Sequence, residues 1–145
     1  MKTGITVGDA MSHNPVIISS SKSVKDCAAL MVKKEVGSVL VKDGDRLLGI
    51  VTEKDIVHKV VAMKLKPEKT SVSDIMTTKV VTIKPDQDLY EVMVEMAERK
   101  IRRLPVLHNG KIIGMLTVRD ILKIEPELFD LLVERYRAGQ HVPLL

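Results

Sequence analysis

Two related stretches decide the fold of this chain: GIVTEKDI at residues 49–56 and GMLTVRDI at residues 114–121. They lie 65 residues apart, and at that shift the chain aligns with itself without a gap over residues 7–57 and 72–122. Self-similarity at a fixed spacing is typical of a duplicated structural unit. The sequence therefore predicts two copies of one unit.

Each copy has the hydrophobic pattern of a strand, a helix, a β-hairpin and a second helix. The first strands are predicted over residues 16–18 and 80–83, and Ser23 and Asp88 stand where a helix N-cap is expected. Apolar residues of the first helices recur at the i, i+3, i+4, i+7 spacing of one buried stripe, which predicts that Cys27 belongs to the core. The predicted fold class is α/β (α+β), with two β-α-β-β-α units and a C-terminal helix.

The repeat also sets the predicted domain organisation. A unit of about 60 residues would be a marginal domain by itself, so we expect the two copies to share a core as a pseudo-twofold pair. The predicted segments are 5–63 for the first unit, 64–71 for a linker, 72–124 for the second unit and 125–145 for a helical tail.

The tail has no counterpart in the repeat. Gly139 is predicted to end its helix, and Phe129 and Tyr136 are two of the three aromatic residues in the chain. We interpret the tail either as a helix docked on its own domain or on a second copy, or as an element that docks a partner.

Composition argues against several classes of function. Three aromatic residues among 145 leave few rings on which bases could stack, and a single cysteine cannot form an intramolecular disulfide or a thiolate-rich zinc site. Histidines at metal-ligand spacing, a P-loop and a dinucleotide-binding glycine motif are all missing from the sequence, so we expect neither an enzyme nor a metal site. With no long apolar run and no signal-like N-terminus, the expected location is cytoplasmic and away from membranes.

The repeated Thr-x-x-Asp segment allows two interpretations. As a structural device, Thr52 and Thr117 would be helix N-caps, with Asp55 and Asp120 at the N3 position. As a binding device, the same helix start would offer N–H groups and a positive dipole end to a phosphate, and a carboxylate could accept both hydroxyls of a ribose. The residues alone leave both interpretations open.

Basic residues accompany these segments unequally. Lys54 and Arg119 each precede the aspartate, and Arg102 and Arg103 precede the second hairpin, where the first copy has Gly-Ser at residues 37–38. Neighbouring strand residues point to opposite faces, so at least one of the two arginines should face outward, and guanidinium groups suit phosphate oxygens. If phosphates are bound, the two sites are predicted to be inequivalent.

Taken together, these motifs resemble a tandem pair of CBS domains. The resemblance is carried by the two Gly-h-h-Thr-x-x-Asp endings, by RRLPV at residues 102–106, and by the openings VGDAM at 7–11 and VSDIM at 72–76, and it covers about residues 5–124. It implies two motifs packed through their sheets, with two clefts that bind AMP, ADP, ATP or S-adenosylmethionine.

The resemblance also implies roles for individual residues. The implied nucleotide-binding residues are Val16 and Val81 at the adenine, Asp55 and Asp120 at the ribose hydroxyls, Thr52 and Thr117 at ribose or phosphate, and Lys54, Arg102, Arg103 and Arg119 at phosphates.

Our leading hypothesis is a regulatory sensor of an adenosine-containing ligand that acts on another protein in trans and forms a homodimer. A ligand-free dimerisation scaffold is one alternative, in which the Thr-x-x-Asp segments are only caps. Nucleic-acid binding is another, resting on a pI near 9.2 and a net charge of +4.

Overall fold

The computed structural model describes residues 2–137, apart from the side chain of Tyr136, so the predicted helix end at Gly139 lies outside the described residues. The helices are α1 (Val7–Ala10), α2 (Val24–Lys34), α3 (Glu53–Ile56), α4 (Val72–Ile75), α5 (Leu89–Arg99), α6 (Val118–Ile124) and α7 (Leu128–Arg137). The strands are β1 (Ile17–Ser19), β2 (Ser38–Asp43), β3 (Arg46–Thr52), β4 (Arg103–His108) and β5 (Lys111–Thr117). A π-helical turn (Val57–Val61) continues α3, and a 3-10 turn (Pro67–Lys69) precedes α4.

The chain forms two compact units whose limits differ from those of the sequence repeats. One unit, which we call the first-repeat unit, is Pro15–Val80. The other, the second-repeat unit, joins the chain up to Asn14 with the chain from Val81 onward. The opening segment of each repeat is therefore built into the unit that holds the hairpin of the other repeat.

The first-repeat unit contains a three-stranded sheet in the order β1-β2-β3, with β1 parallel and β3 antiparallel to the central strand. Its core is aliphatic and includes Val24, Met31 and Val41, and Cys27 is fully buried among them, as predicted. Burial raises the pKa of the Cys27 thiol to about 11, because desolvation disfavours the thiolate. Cys27 is therefore a core residue in its protonated form at neutral pH.

The second-repeat unit has a two-stranded sheet, β4-β5, and the strand predicted over residues 80–83 is reduced to one parallel bridge between Ile83 and Val106. The prediction of a full strand there is wrong, and proline chemistry explains why. In the first-repeat unit the Leu40 N–H donates to the Val16 carbonyl at 2.9 Å. The residue 65 positions after Leu40 is Pro105, which has no N–H and cannot make the equivalent ladder bond.

A close contact joins each opening segment to a hairpin glycine. A Cβ atom on Gly114 would lie 2.5 Å from the Met11 sulfur and 2.7 Å from the Ser12 carbonyl oxygen. In the first-repeat unit, a Cβ on Gly49 would lie 2.9 Å from the Met76 sulfur and 2.7 Å from a backbone carbonyl oxygen. The glycine of each Gly-h-h-Thr-x-x-Asp segment therefore provides the space in which the methionine of an opening segment lies.

The N-caps of the two long repeat helices are those the sequence predicts. Ser23 accepts a hydrogen bond from the backbone of α2, and Asp88 does the same for α5. Asp88 also accepts from the backbone N–H groups of Thr3 and Gly4, both at 3.0 Å. Burial opposes ionisation of Asp88, yet hydrogen bonds from Thr3, Tyr90 and Gly4 together outweigh it and lower the pKa of this carboxyl.

The C-terminal helix α7 packs against α5 and α6 of the second-repeat unit. Its Leu128 and Leu132 are buried in the same core as Met93 and Met96. The interpretation of this part of the tail as a helix docked on its own domain is thus confirmed. No helix within residues 2–137 is long and apolar enough to cross a bilayer.

The glycine contacts give the first prediction. We expect Gly114→Ala to lower the free energy of unfolding by about 1 to 3 kcal/mol, because the added methyl group must displace the Met11 side chain and the Ser12 backbone. Urea denaturation would measure the loss. Gly8→Ala is the control, since its Cβ would come no closer than 3.3 Å to another atom and its effect should be clearly smaller. A Gly114→Ala variant as stable as the wild type would contradict the close packing.

The Asp88 carboxylate gives a second prediction, on pH. Its pKa is lower in the folded chain than its ordinary value of 3.8, so its stabilisation is present above that pH and is lost as the pH falls through the folded pKa. Asp88→Asn should be less stable than the wild type by about 1 kcal/mol at pH 7, the ionic hydrogen bonds being partly exposed. Urea unfolding at pH 7, 5 and 3 should show the difference shrinking at pH 3, and a constant difference would argue against an ionic origin.

Candidate functional site

Both Thr-x-x-Asp segments form complete capping boxes at the junction of a hairpin and the next helix. The Thr52 N–H donates to Oδ2 of Asp55 at 2.9 Å, and the Asp55 N–H donates to Oγ1 of Thr52 at 3.1 Å. Thr117 and Asp120 repeat the arrangement with distances of 2.9 and 3.1 Å. The structural interpretation of the motif is therefore present in both copies, and each aspartate is held in a defined position.

Several backbone N–H groups at the start of α3 and of α6 already donate hydrogen bonds within the protein. The Glu53 N–H donates to the Gly37 carbonyl at 3.1 Å, and the Val118 N–H donates to the Arg102 carbonyl at 3.0 Å. With the N3 amide committed to the capping threonine, the first and third amides of each short helix already have partners. The side chains of these segments, above all the carboxylates and the basic residues, are therefore the groups to consider as ligand contacts.

The second-repeat unit brings several of the predicted residues together. Arg103 at the start of β4 is paired directly with Thr117 at the end of β5, and directly opposed residues of a ladder share one sheet face. Arg102 reaches the start of α6 through its carbonyl contact, which also holds the segment before β4 beside the Asp120 capping box. Arg119 is exposed on α6, one residue before Asp120. A carboxylate, a hydroxyl and guanidinium groups thus cluster at one end of this sheet.

The first-repeat unit has fewer basic residues near the equivalent aspartate, Asp55. Ser38 pairs with Thr52 where the second-repeat unit has an arginine, and the exposed Lys54 is the basic residue next to Asp55. The inequivalence predicted from residues 37–38 thus has a structural counterpart in the composition of the two clusters.

The two valines predicted at an adenine have different backbone environments. Val16 is half-buried and its carbonyl accepts the Leu40 N–H at 2.9 Å. Val81 is also half-buried and packs on the core of its own unit, but Pro105, the repeat equivalent of Leu40, has no N–H to donate. The Val81 carbonyl therefore lacks the donor that Leu40 supplies in the other unit.

The surroundings of the two aspartates also differ, through a residue that the sequence analysis missed. Oδ1 of Asp55 lies 2.9 Å from the Lys59 ammonium and 3.4 Å from the Thr77 hydroxyl. The i,i+4 spacing of Asp55 and Lys59 on one helix was the available signal. The residue 65 positions after Lys59 is Ile124, and among the described residues Asp120 forms no ion pair, not even with Lys123 at i,i+3.

The described residues contain no group of three or more histidine, cysteine, aspartate or glutamate side chains arranged to hold a metal ion.

Comparison with known proteins agrees with this architecture. The family model for the CBS domain matches residues 7–62 and again residues 72–127. An uncharacterised protein of Methanopyrus kandleri is 34% identical over 138 residues, a stretch that covers 94% of this chain and 70% of the relative.

Solved structures show the same fold. A hexameric CBS-CP12 protein from bloom-forming cyanobacteria has a TM-score of 0.74 and 32% identity, over 87% of this chain and 73% of the other. A CBS domain pair in complex with 5′-methylthioadenosine and S-adenosyl-L-methionine has a TM-score of 0.75 and 27% identity, over 84% and 96%. The predicted mixed α/β class, with two such motifs and a C-terminal helix, is confirmed. The chain belongs to the CBS-domain family and carries two CBS domains, the pair that forms a regulatory ligand-binding module.

Proposed function

We propose that this protein is a regulatory sensor that binds an adenosine-containing ligand at the second-repeat unit and acts on another protein in trans. The observation that carries the proposal is the difference in hydrogen bonding between the two oxygens of the Asp120 carboxylate. Its Oδ2 is held by the Thr117 N–H at 2.9 Å, and no described residue donates to its Oδ1. One carboxylate oxygen is thus oriented by the fold while the other is available to a ligand.

A ribose suits this carboxylate. An ionised aspartate accepts hydrogen bonds at about four lone-pair positions, and the cap uses only part of this capacity. The two vicinal hydroxyls of a ribose are donors that one carboxylate can accept together, as acidic residues do in dinucleotide-binding folds. The capping box removes much of the cost of ordering the side chain before the ligand binds.

The residues around Asp120 suit the remaining parts of such a ligand. Arg102, Arg103 and Arg119 lie on the segments next to it and would favour a phosphate or a carboxylate group. Val81 contributes an aliphatic surface for a purine and a backbone carbonyl that could accept from an exocyclic amino group. The similar CBS pair that was solved with two adenosine derivatives supports this ligand class.

Calorimetric titration tests the proposed ligand class. We expect AMP, ATP, 5′-methylthioadenosine or S-adenosylmethionine to bind the wild type, and Asp120→Asn to weaken that binding by at least tenfold, because an amide accepts from the ribose less strongly than a carboxylate. Asn keeps an acceptor for the Thr117 N–H, so the cap is largely preserved. Asp26→Asn is the matched control, since Asp26 is exposed on α2 in the other unit.

The outcomes of this titration separate the alternatives. No heat with any of the four compounds, together with an unmoved melting temperature, would favour the ligand-free scaffold. Binding of single- or double-stranded DNA that falls steeply with salt would favour the nucleic-acid alternative.

A regulator of this kind also needs a surface on which it assembles, and we propose a homodimer formed through the first-repeat unit. There α2 and α3 border a groove of about 480 Å³, lined mainly by apolar residues with Glu35 and Glu53 beside them. Val32, which lines this groove, is 80% exposed, and Val57 is 54% exposed. The corresponding helices of the second-repeat unit are covered by α7 of the same chain. The open apolar face therefore favours a second copy as its occupant, which agrees with the hexameric state of a similar protein.

Sedimentation velocity tests this assembly. The wild type should sediment as a dimer, and Val57→Glu should shift it to a monomer because a charge would be buried against its own copy. Phe129→Glu is the control, as Phe129 is exposed by 44% on α7 and should leave the dimer intact. A dimer that survives Val57→Glu but dissociates with Phe129→Glu would place the interface on α7 instead.

A further inference from the structure

We infer that Lys59 closes the ribose-binding carboxylate of the first repeat, so that the chain binds one ligand, at Asp120, although the Thr-x-x-Asp motif occurs twice. The inference rests on the proposed function and adds to it a residue that determines stoichiometry. Lys59 acts through Asp55 and is therefore a positioning residue.

The contacts of Asp55 account for both of its oxygens. Oδ2 accepts from the N–H of Thr52 at 2.9 Å and from its hydroxyl at 3.1 Å. Oδ1 is approached by the Lys59 ammonium at 2.9 Å and by the Thr77 hydroxyl at 3.4 Å. The positions that a ribose diol would need at this carboxylate are taken by groups of the protein itself.

Lys59 is held by more than the ion pair. Its ammonium also donates to the Ile75 carbonyl at 3.0 Å, which ties it to the end of α4. The side chain of Asp55 is only 12% exposed, so the pair is less screened by water than an ordinary surface pair. A ribose would have to replace the ammonium by neutral hydroxyls, which would remove the Coulomb attraction between the two opposite charges. Ligand binding at Asp55 is therefore disfavoured.

In the second repeat, the described residues make no contacts like those of Lys59 and Thr77 with the aspartate. The position equivalent to Lys59 is Ile124, which has no donor, and no described residue donates to Oδ1 of Asp120. The position equivalent to Thr77 is Ser12, which makes no described hydrogen bond to Asp120.

A second difference points the same way and is independent of the carboxylates. The Val16 carbonyl is engaged by the Leu40 N–H, whereas Pro105 leaves the Val81 carbonyl without that donor. A purine at the second repeat can thus donate to the Val81 carbonyl. In the first repeat the equivalent carbonyl, that of Val16, already accepts a hydrogen bond within the sheet. The second repeat therefore offers open acceptors both to the ribose hydroxyls, at Asp120, and to the purine, at the Val81 carbonyl.

Equilibrium dialysis at saturating AMP and S-adenosylmethionine measures the stoichiometry directly. At a ligand concentration that only just saturates the wild type, the wild type should bind one ligand per chain, and Asp120→Asn, with its affinity at least tenfold weaker, should bind well below one. Lys59→Met, which keeps the aliphatic stem without the charge, should bind a second ligand per chain. The double variant Lys59→Met/Asp120→Asn should retain one, now at Asp55.

Two further variants serve as controls. Lys25→Met removes an exposed lysine of α2 and should still bind one ligand, and Lys59→Arg should also bind one because it preserves the ion pair. Melting curves of every variant establish that each is folded.

Failure of the inference and failure of the proposed function give different results. Two ligands per wild-type chain, or a folded Lys59→Met variant that still binds one, would overturn the role of Lys59 and leave ligand sensing intact. A wild type that binds neither compound would overturn both.

Discussion

The close approach of an opening segment to a hairpin glycine is the contact on which the rest of the structure depends. At Gly114 the Met11 sulfur and the Ser12 carbonyl occupy the space of a side chain, and Met76 does the same at Gly49. Because the opening segment of each repeat completes the unit of the other repeat, neither copy is complete by itself. Each compact unit is thus built from both copies of the repeat, which fits the small core that about 60 residues can bury alone.

Within this shared frame, single substitutions have given the two repeats different chemistry. Pro105 in place of Leu40 shortens the first strand of the second repeat and withholds a donor from the Val81 carbonyl. Ile124 in place of Lys59 leaves a carboxylate oxygen of Asp120 without a described donor. Both changes leave the capping box complete in each unit. The two repeats therefore differ in these contacts while they share the capping box.

Much of the fold could be predicted from the sequence because local patterns determine it. The hairpins, the caps at Ser23 and Asp88 and the burial of Cys27 follow from alternation, capping chemistry and helical spacing. The packing of each opening segment in the unit that holds the hairpin of the other repeat could not be predicted. The alignment of the repeats shows which residues are equivalent, but it does not show which hairpin an opening segment contacts. The strand over residues 80–83 was predicted in full because its own residues favour a strand, whereas the missing donor belongs to Pro105, more than twenty residues away.

The Thr-x-x-Asp motif of the candidate site could be predicted from the sequence. The contacts made by each aspartate could not. Thr-x-x-Asp was open to interpretation as a cap or as a ribose site, and the structure shows why these are compatible: a carboxylate has two oxygens, and the cap needs one. The contacts of the other oxygen differ with the residue four positions later, outside the motif. In the first repeat that residue is a lysine whose ammonium lies 2.9 Å from Oδ1 of Asp55, and in the second it is an isoleucine. The motif identifies the carboxylate, and under the role inferred for Lys59 the charge one turn beyond it sets whether that carboxylate is open to a ligand.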